Sequence, residues 1–264
     1  MEAVELSGGA SSRAAVVVLG ASNVSRGLAR LSAAARARSR APLDMFVAAG
    51  HGRGYGVNTR VAWRRLPSIL GSGLWQALDR ERIEAPAALV TDVGNELLYG
   101  FTAEQVAGWV RESVRRLADR GGTIAIVRLP LASIAGVGRV RYRALRTFFV
   151  PGCRLSLADL RDAALRLDDA LVAIAADSGC RLIDQQASWY GVDALHVRRH
   201  RLDDLWHAAC DAWRWPPVER RPRASFTEWA TVGSKAAEVR SLGRVLRHTP
   251  QPVVQRDDMR LWLY

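Results

Sequence analysis

The chain has 264 residues, of which 49% are hydrophobic and 24% charged, a balance that suits one large folded domain or one domain with an extension and excludes a disordered chain. The formal net charge is +12, yet Lys235 is the only lysine and the arginines are scattered among Ala, Leu and Asp, with few runs such as Arg220, Arg221 and Arg223. That spread predicts a diffuse solvated basic surface with no specific nucleic-acid partner, and no apolar run approaches the roughly 20 residues of a membrane span. The opening MEAVELSGGASS has no basic residue to start a secretory signal, and Cys153, Cys180 and Cys210 are too few and too odd for a disulfide framework, so a cytoplasmic protein is expected.

Ala14–Leu19 (AAVVVL) is a fully buried type of strand, and Val24, Leu28, Leu31 and Ala35 place a helical face over residues 24–37. A second strand covers Asp44–Ala49 and runs into the glycine-rich HGRGYG; residues 60–82 suggest helical segments broken near Pro67 and Gly71–Gly73. Ala87–Asp92 is a third strand. Thr102 and Gln105 form a capping-box pattern that opens a helix to about Arg120, where Gly121 and Gly122 end it. Thr123–Leu129 is a fourth strand, and residues 130–155 are a long connection, either a lid or a short helical insertion. Ser156 caps a helix to Asp177, Arg181–Asp184 is a short fifth strand, and Arg199–Trp213 is the last helix of the unit. Apolar strands alternating with helices predict a parallel sheet covered on both faces. After Trp213 the βα pattern stops: residues 214–264 hold ten Lys/Arg against five Asp/Glu, with Trp229 and the ending LWLY as anchors. The expected division is a domain over 1–213 and an extension over 214–264 that packs on the domain or on a partner, a second copy of the chain included.

In open α/β sheets ligands sit at the carboxyl ends of the strands, so the residues standing there are the informative ones. Ser22 follows the first strand at a helix start, where it is either a nucleophile or merely a helix N-cap. It does not sit in a G-x-S-x-G elbow, because Val24 occupies the second glycine position. Of two D-x-x-H pairs, Asp193/His196 lies in a loop after a strand and Asp204/His207 inside a helix; the loop pair suits a histidine base oriented by a carboxylate. His196 and His200 could share a metal, but no third ligand is evident. Asn95 and the glycines of HGRGYG can supply oxyanion donors; the same glycines with Arg53 could instead cradle a phosphate, although the P-loop ending is absent.

Taken in order, Ser22, the glycines after the second strand, Asn95 and Asp193-x-x-His196 resemble the four blocks of the SGNH (GDSL-type) hydrolases over about residues 14–213. The resemblance implies a three-layer α/β/α sandwich with a five-stranded parallel sheet of flavodoxin-like kind, and esterase chemistry with neither metal nor cofactor. It implies Ser22 as nucleophile, His196 as base and then acid, and Asp193 as its orienter. The N–H groups of Ser22 and Gly52 with Asn95 would form the oxyanion hole; Gly52 is preferred over Gly50 and Gly54 because Gly52-Arg53 looks like the Gly-Arg step of some carbohydrate esterases of the family. Arg53 could bind an anionic substrate group, Trp189 and Tyr190 are expected to wall the pocket, with core packing the equal alternative for Trp189, and a small acyl ester or acylated sugar is the expected substrate. The chain departs from the family at Ala21, where Asp is usual, at Gly27, one position late, and in Val93-Gly94-Asn95-Glu96, where G-x-N-D is usual. An acyltransferase with the same triad and a catalytically silent binding protein are the competing expectations.

Overall fold

A computed structural model describes residues 13–61, 64–219, 238–241 and 244–264. The first twelve residues, Arg220, Arg221, Arg223, Trp229 and Lys235 lie outside the described residues. β1 (Ala14–Leu19) leads to α1 (Ser22–Arg38) and β2 (Leu43–Ala48), followed by β3 (Thr59–Val61), β4 (Arg64–Leu66), α2 (Leu74–Arg80) and β5 (Ala87–Val90). Next come α3 (Asn95–Leu98), α4 (Ala103–Ala118), β6 (Thr123–Val127), α5 (Leu131–Ala135), α6 (Arg139–Phe149), α7 (Leu157–Ser178) and β7 (Arg181–Ile183). Two 3-10 turns, Ala187–Trp189 and Arg199–Arg201, precede α8 (Leu202–Ala212), and β8 (Glu238–Ser241), β9 (Arg244–His248), β10 (Val254–Gln255) and β11 (Met259–Leu263) follow.

The central sheet has the order β10-β11-β2-β1-β5-β6-β7, and every pairing in it except β10–β11 is parallel. Five consecutive strands of it, β2-β1-β5-β6-β7, have the flavodoxin-like order. Alternation within each strand sorts the side chains onto two faces. Val17 and Leu19 of β1 join Phe46 and Val90 in a core covered by α2, α4 and α7, through residues such as Leu78, Val110 and Leu171. Val16 and Val18 point the other way, to Met45, Leu89 and the apolar stripes of α1 and α8, including Leu31 and Trp206. The result is the expected three-layer α/β/α sandwich.

The sheet has seven strands where five were expected. Residues 259–263 pair in parallel with β2, Phe46 stacks on Trp262 at 4.3 Å between ring centroids, and buried Asp44 binds Arg13 Nε at 2.6 Å and Arg260 Nε at 2.8 Å. Among the described residues no helix lies between α8 and β11, so the βα rhythm that leads into the other parallel strands is missing there. A second difference lies in residues 60–82, where only α2 is helical. β3 and β4 belong to a separate antiparallel sheet, β3-β4-β8-β9, and β4 finds its partner in β8, far along the chain. Tertiary pairing of that kind overrides local pattern. The connection after β6 is a helical insertion, α5 and α6, and the two caps are as expected: Thr102 and Gln105 bond reciprocally at 3.3 and 2.9 Å, and Ser156 Oγ accepts from Asp159 N–H at 3.1 Å.

Candidate active site

The chain turns outward in opposite directions from β1, to β2 on one side and β5 on the other, and the crevice between β1 and β5 is the topological switch point. Ser22 stands there, 8% exposed, but not as the N-cap of α1: that position belongs to Ala21, which makes no side-chain cap. The cap comes from across the crevice. Asp92, just past β5 and held at φ +55°, accepts from the backbone N–H groups of Ala21 (2.8 Å), Asn23 (2.9 Å) and Val24 (3.3 Å). A carboxylate at a helix N-terminus is favoured by both the unpaired N–H groups and the macrodipole. The Ser22 N–H is not part of this cap, so the helix start keeps a donor beside the serine hydroxyl.

The histidine loop is tied to the same helix start. Asn23 Oδ1 accepts from Val197 N–H at 3.0 Å, and its amide donates to Asp92 Oδ1 at 2.7 Å and to the Leu195 carbonyl at 3.4 Å. The neighbour of Ser22 is thus bonded to both residues that flank His196. Within the loop, Asp193 Oδ1 accepts from Leu195 N–H at 2.8 Å and Oδ2 pairs with His196 Nδ1. Burial pulls the Asp193 carboxyl upward, but the hydrogen bonds from His196 and Leu195 prevail and hold it below the usual carboxylate range. Strand-like contacts fix the loop's base, where Tyr190 bridges Val197 and Arg198 N–H reaches the Trp189 carbonyl at 2.8 Å. The second D-x-x-H pair is structural, with His207 buried in α8, and His200 stands exposed on a 3-10 turn. Among the described residues no three His, Cys, Asp or Glu side chains gather to hold a metal ion.

Asn95 opens α3 and donates one amide N–H to the Arg53 carbonyl at 3.1 Å, which docks the glycine loop against it. Gly52 adopts φ +69°, a conformation that favours glycine, and its carbonyl accepts from Tyr99 Oη at 2.7 Å. Glu96 is fully buried; it accepts from Tyr55 N–H, and it packs closely on Gly54, where a Cβ would lie 3.0 Å from Glu96 Oε1. A Cβ on Gly50 would meet Leu66 at 2.6 Å. Burial raises the Glu96 carboxyl against the lowering pull of the backbone donors.

These elements enclose a cleft of about 70 Å³ walled by Ser22, Asp92, Asn95, Arg128, Tyr190 and Leu195, among others. Of the expected site residues, Gly52, Arg53, Trp189, Asp193 and His196 are not among its walls, the last two standing beside Leu195, which is. Arg53 is a correction to the expected substrate contacts. It is 1% exposed, with its guanidinium on the carbonyls of Ala49 (3.3 Å) and Ser68 (3.4 Å) and on the main-chain oxygen of Tyr264, and burial lowers its pKa to about 10. Trp189 is likewise a core residue, packed in the cluster beneath α1 and α8. Tyr190 does face the cleft, with its hydroxyl on Gln185. Sequence reasoning missed Asn23, Asp92 and Arg128. Among the described residues Arg128 is the one cationic side chain in the cleft wall, and its charge is taken by Asp168, at 2.5 Å, and Asp184, at 3.0 Å.

No protein-family model matches the chain, and no curated protein matches it in sequence. Solved structures do align with it. One superposes with a TM-score of 0.52 at 14% identity, over 77% of this chain and 98% of that one, and shares its fold. A psychrotrophic esterase EstA from Pseudoalteromonas sp. aligns at 11% identity with a TM-score of 0.47, over 76% of this chain and 96% of that one. TesA aligns at 14% identity, also with a TM-score of 0.47, over 76% of this chain and 98% of that one.

Proposed function

We propose that the protein is a serine acyl hydrolase of the SGNH type, working through an acyl-enzyme in the crevice between β1 and β5. The observation that carries this reading is the Asn23 bridge, which ties the helix start bearing Ser22 to both neighbours of a histidine already paired with a carboxylate. In this mechanism neutral His196 takes the Ser22 proton as the hydroxyl oxygen attacks the ester carbonyl. Asp193 holds the imidazole through Nδ1 and stabilises the imidazolium that forms. The carbonyl oxygen gains the negative charge and is met by the Ser22 N–H and the free amide N–H of Asn95, the two expected oxyanion donors that wall the cleft. Collapse expels the alcohol, which takes the proton from His196; water then attacks the acyl carbon as His196 takes its proton, and the second collapse returns that proton from His196 to the Ser22 oxygen, releasing the acid and the free serine.

A fluorophosphonate probe read by intact mass tests the reading. Wild-type protein should gain one adduct, and Ser22→Ala none. Asn95→Ala should still be labelled but lose roughly 10²–10³ in turnover of an ester, the usual cost of one oxyanion donor. A folded wild type that takes no label removes the activated serine and the proposal with it.

A further inference from the structure

The insertion formed by α5 and α6 encloses a second cavity, of about 40 Å³, against α7 and the histidine loop. It shares Leu98, Ile134, Leu160 and Leu195 with the cleft that holds Ser22, so the two spaces meet at side chains that face both. Its remaining surroundings include Val137, Leu157 and Ala194, the last only two residues before His196. The polar groups at its edge are committed elsewhere. Tyr142 Oη and Arg146 Nη1 both donate to the Leu155 carbonyl, at 2.8 and 3.0 Å. Apolar side chains make up the rest of the lining, and the cation in the adjoining cleft is already neutralised by two carboxylates. An apolar cavity of this kind stays dry and takes apolar guests.

We infer that this cavity receives the acyl chain of the substrate, an unbranched saturated chain longer than acetyl, and that Val137, 5% exposed in the turn between α5 and α6, sets its length. The inference rests on Ser22 as the nucleophile. With the ester carbonyl at Ser22, the chain runs through the shared leucines toward α6, and the alcohol leaves on the polar side beside Arg128 and Tyr190. A buried methylene is worth ~0.8 kcal/mol, so each carbon added to the acyl group should raise kcat/KM about fourfold until the cavity is full.

The test is kcat/KM for p-nitrophenyl acetate, butyrate, hexanoate and octanoate, with fluorophosphonate labelling of Ser22 in the same preparations. In the wild type the hexanoate-to-acetate ratio should exceed about tenfold, which two buried methylenes at about fourfold each already supply. Val137→Phe should collapse that ratio toward one, and Val137→Ala should move the optimum to a longer chain. The second variant reads the cavity even where the first folds poorly. A labelled enzyme that prefers acetate, with a chain profile indifferent to both substitutions, overturns the acyl cavity and leaves the hydrolase reading standing. An unlabelled but folded wild type overturns both.

Discussion

Replacing Asn23 with alanine probes the link between the helix start and the histidine loop. Asn23 is 5% exposed and its side chain makes two short hydrogen bonds, one to the Asp92 carboxylate at 2.7 Å and one from Val197 N–H at 3.0 Å; its contacts to Leu195 and Arg26 are 3.4 Å long. A hydrogen bond to a charged group is worth about 1.5–3 kcal/mol, and a stranded buried donor such as the fully buried Val197 N–H costs about 1–3 kcal/mol. Counting only the short bonds, Asn23→Ala should lose about 3–4 kcal/mol, which lowers Tm by roughly 10 °C in a chain of this size. Labelling of Ser22 should slow by about 10²-fold, because a shift near 1 Å between reacting groups has that cost. Scanning calorimetry and the rate of fluorophosphonate adduct formation measure the two effects. A double-mutant cycle with Asp92→Ala should show coupling of about 1–3 kcal/mol between the two residues. Should Asn23→Ala melt within about 2 °C of wild type and label at the same rate, the bridge neither stabilises the loop nor positions the histidine.

Other expectations concern the surroundings of the site. Burial raises the Glu96 carboxyl, so the folded chain keeps that proton to higher pH than the unfolded one; its contribution to stability is full below the ordinary carboxylate pKa and is lost as pH rises through the raised value. Urea unfolding from about pH 4 to pH 7 should therefore show Glu96→Gln gaining on wild type as pH rises, and a pH-independent difference would contradict the assignment. Gly27→Ala puts a Cβ 2.7 Å from Trp206 Nε1 in a fully buried ring, an overpacking cost of about 1–3 kcal/mol that exceeds most of the helix-propensity gain of about 1 kcal/mol. Its Tm should fall, and a rise would mean that α1 and α8 can part at that point. Arg53→Gln should cost about 2–4 kcal/mol in denaturant titrations through carbonyls left without donors, while KM for any ester stays put; raised KM with unchanged stability would restore Arg53 to the substrate.

Local signals in the chain were enough for much of the fold. The unbroken apolar run of β1, the Thr102–Gln105 box and the Ser156 cap each specify an element within a few residues, and all three stand in the structure. The adjacency of Asp193 and His196 was readable for the same reason, since a three-residue turn places them together. What escaped is long-range. Asp92 reads as the last residue of a strand, and nothing near it reveals that it caps a helix 70 residues earlier. Arg53, flanked by glycines, looks like a surface cation until the Ala49, Ser68 and Tyr264 oxygens close around it. β3 and β11 were invisible because their partners, and not their own patterns, make them strands.

The pairing of β11 with β2 also bears on how the chain is made. Leu43 and Met259 are register partners, so β2, all six of whose residues are buried in the finished protein, has no neighbour on that side until the ribosome has added more than 200 further residues. During that interval the nascent chain presents an open, apolar strand edge of the sort that templates aggregation. Parallel pairing over so long a separation is also slow to form. Asp44, the second residue of that edge and paired on its other side with Arg13, is a charge that a second nascent chain could bury only at a cost, and it guards the vacancy until Arg260 and its strand arrive.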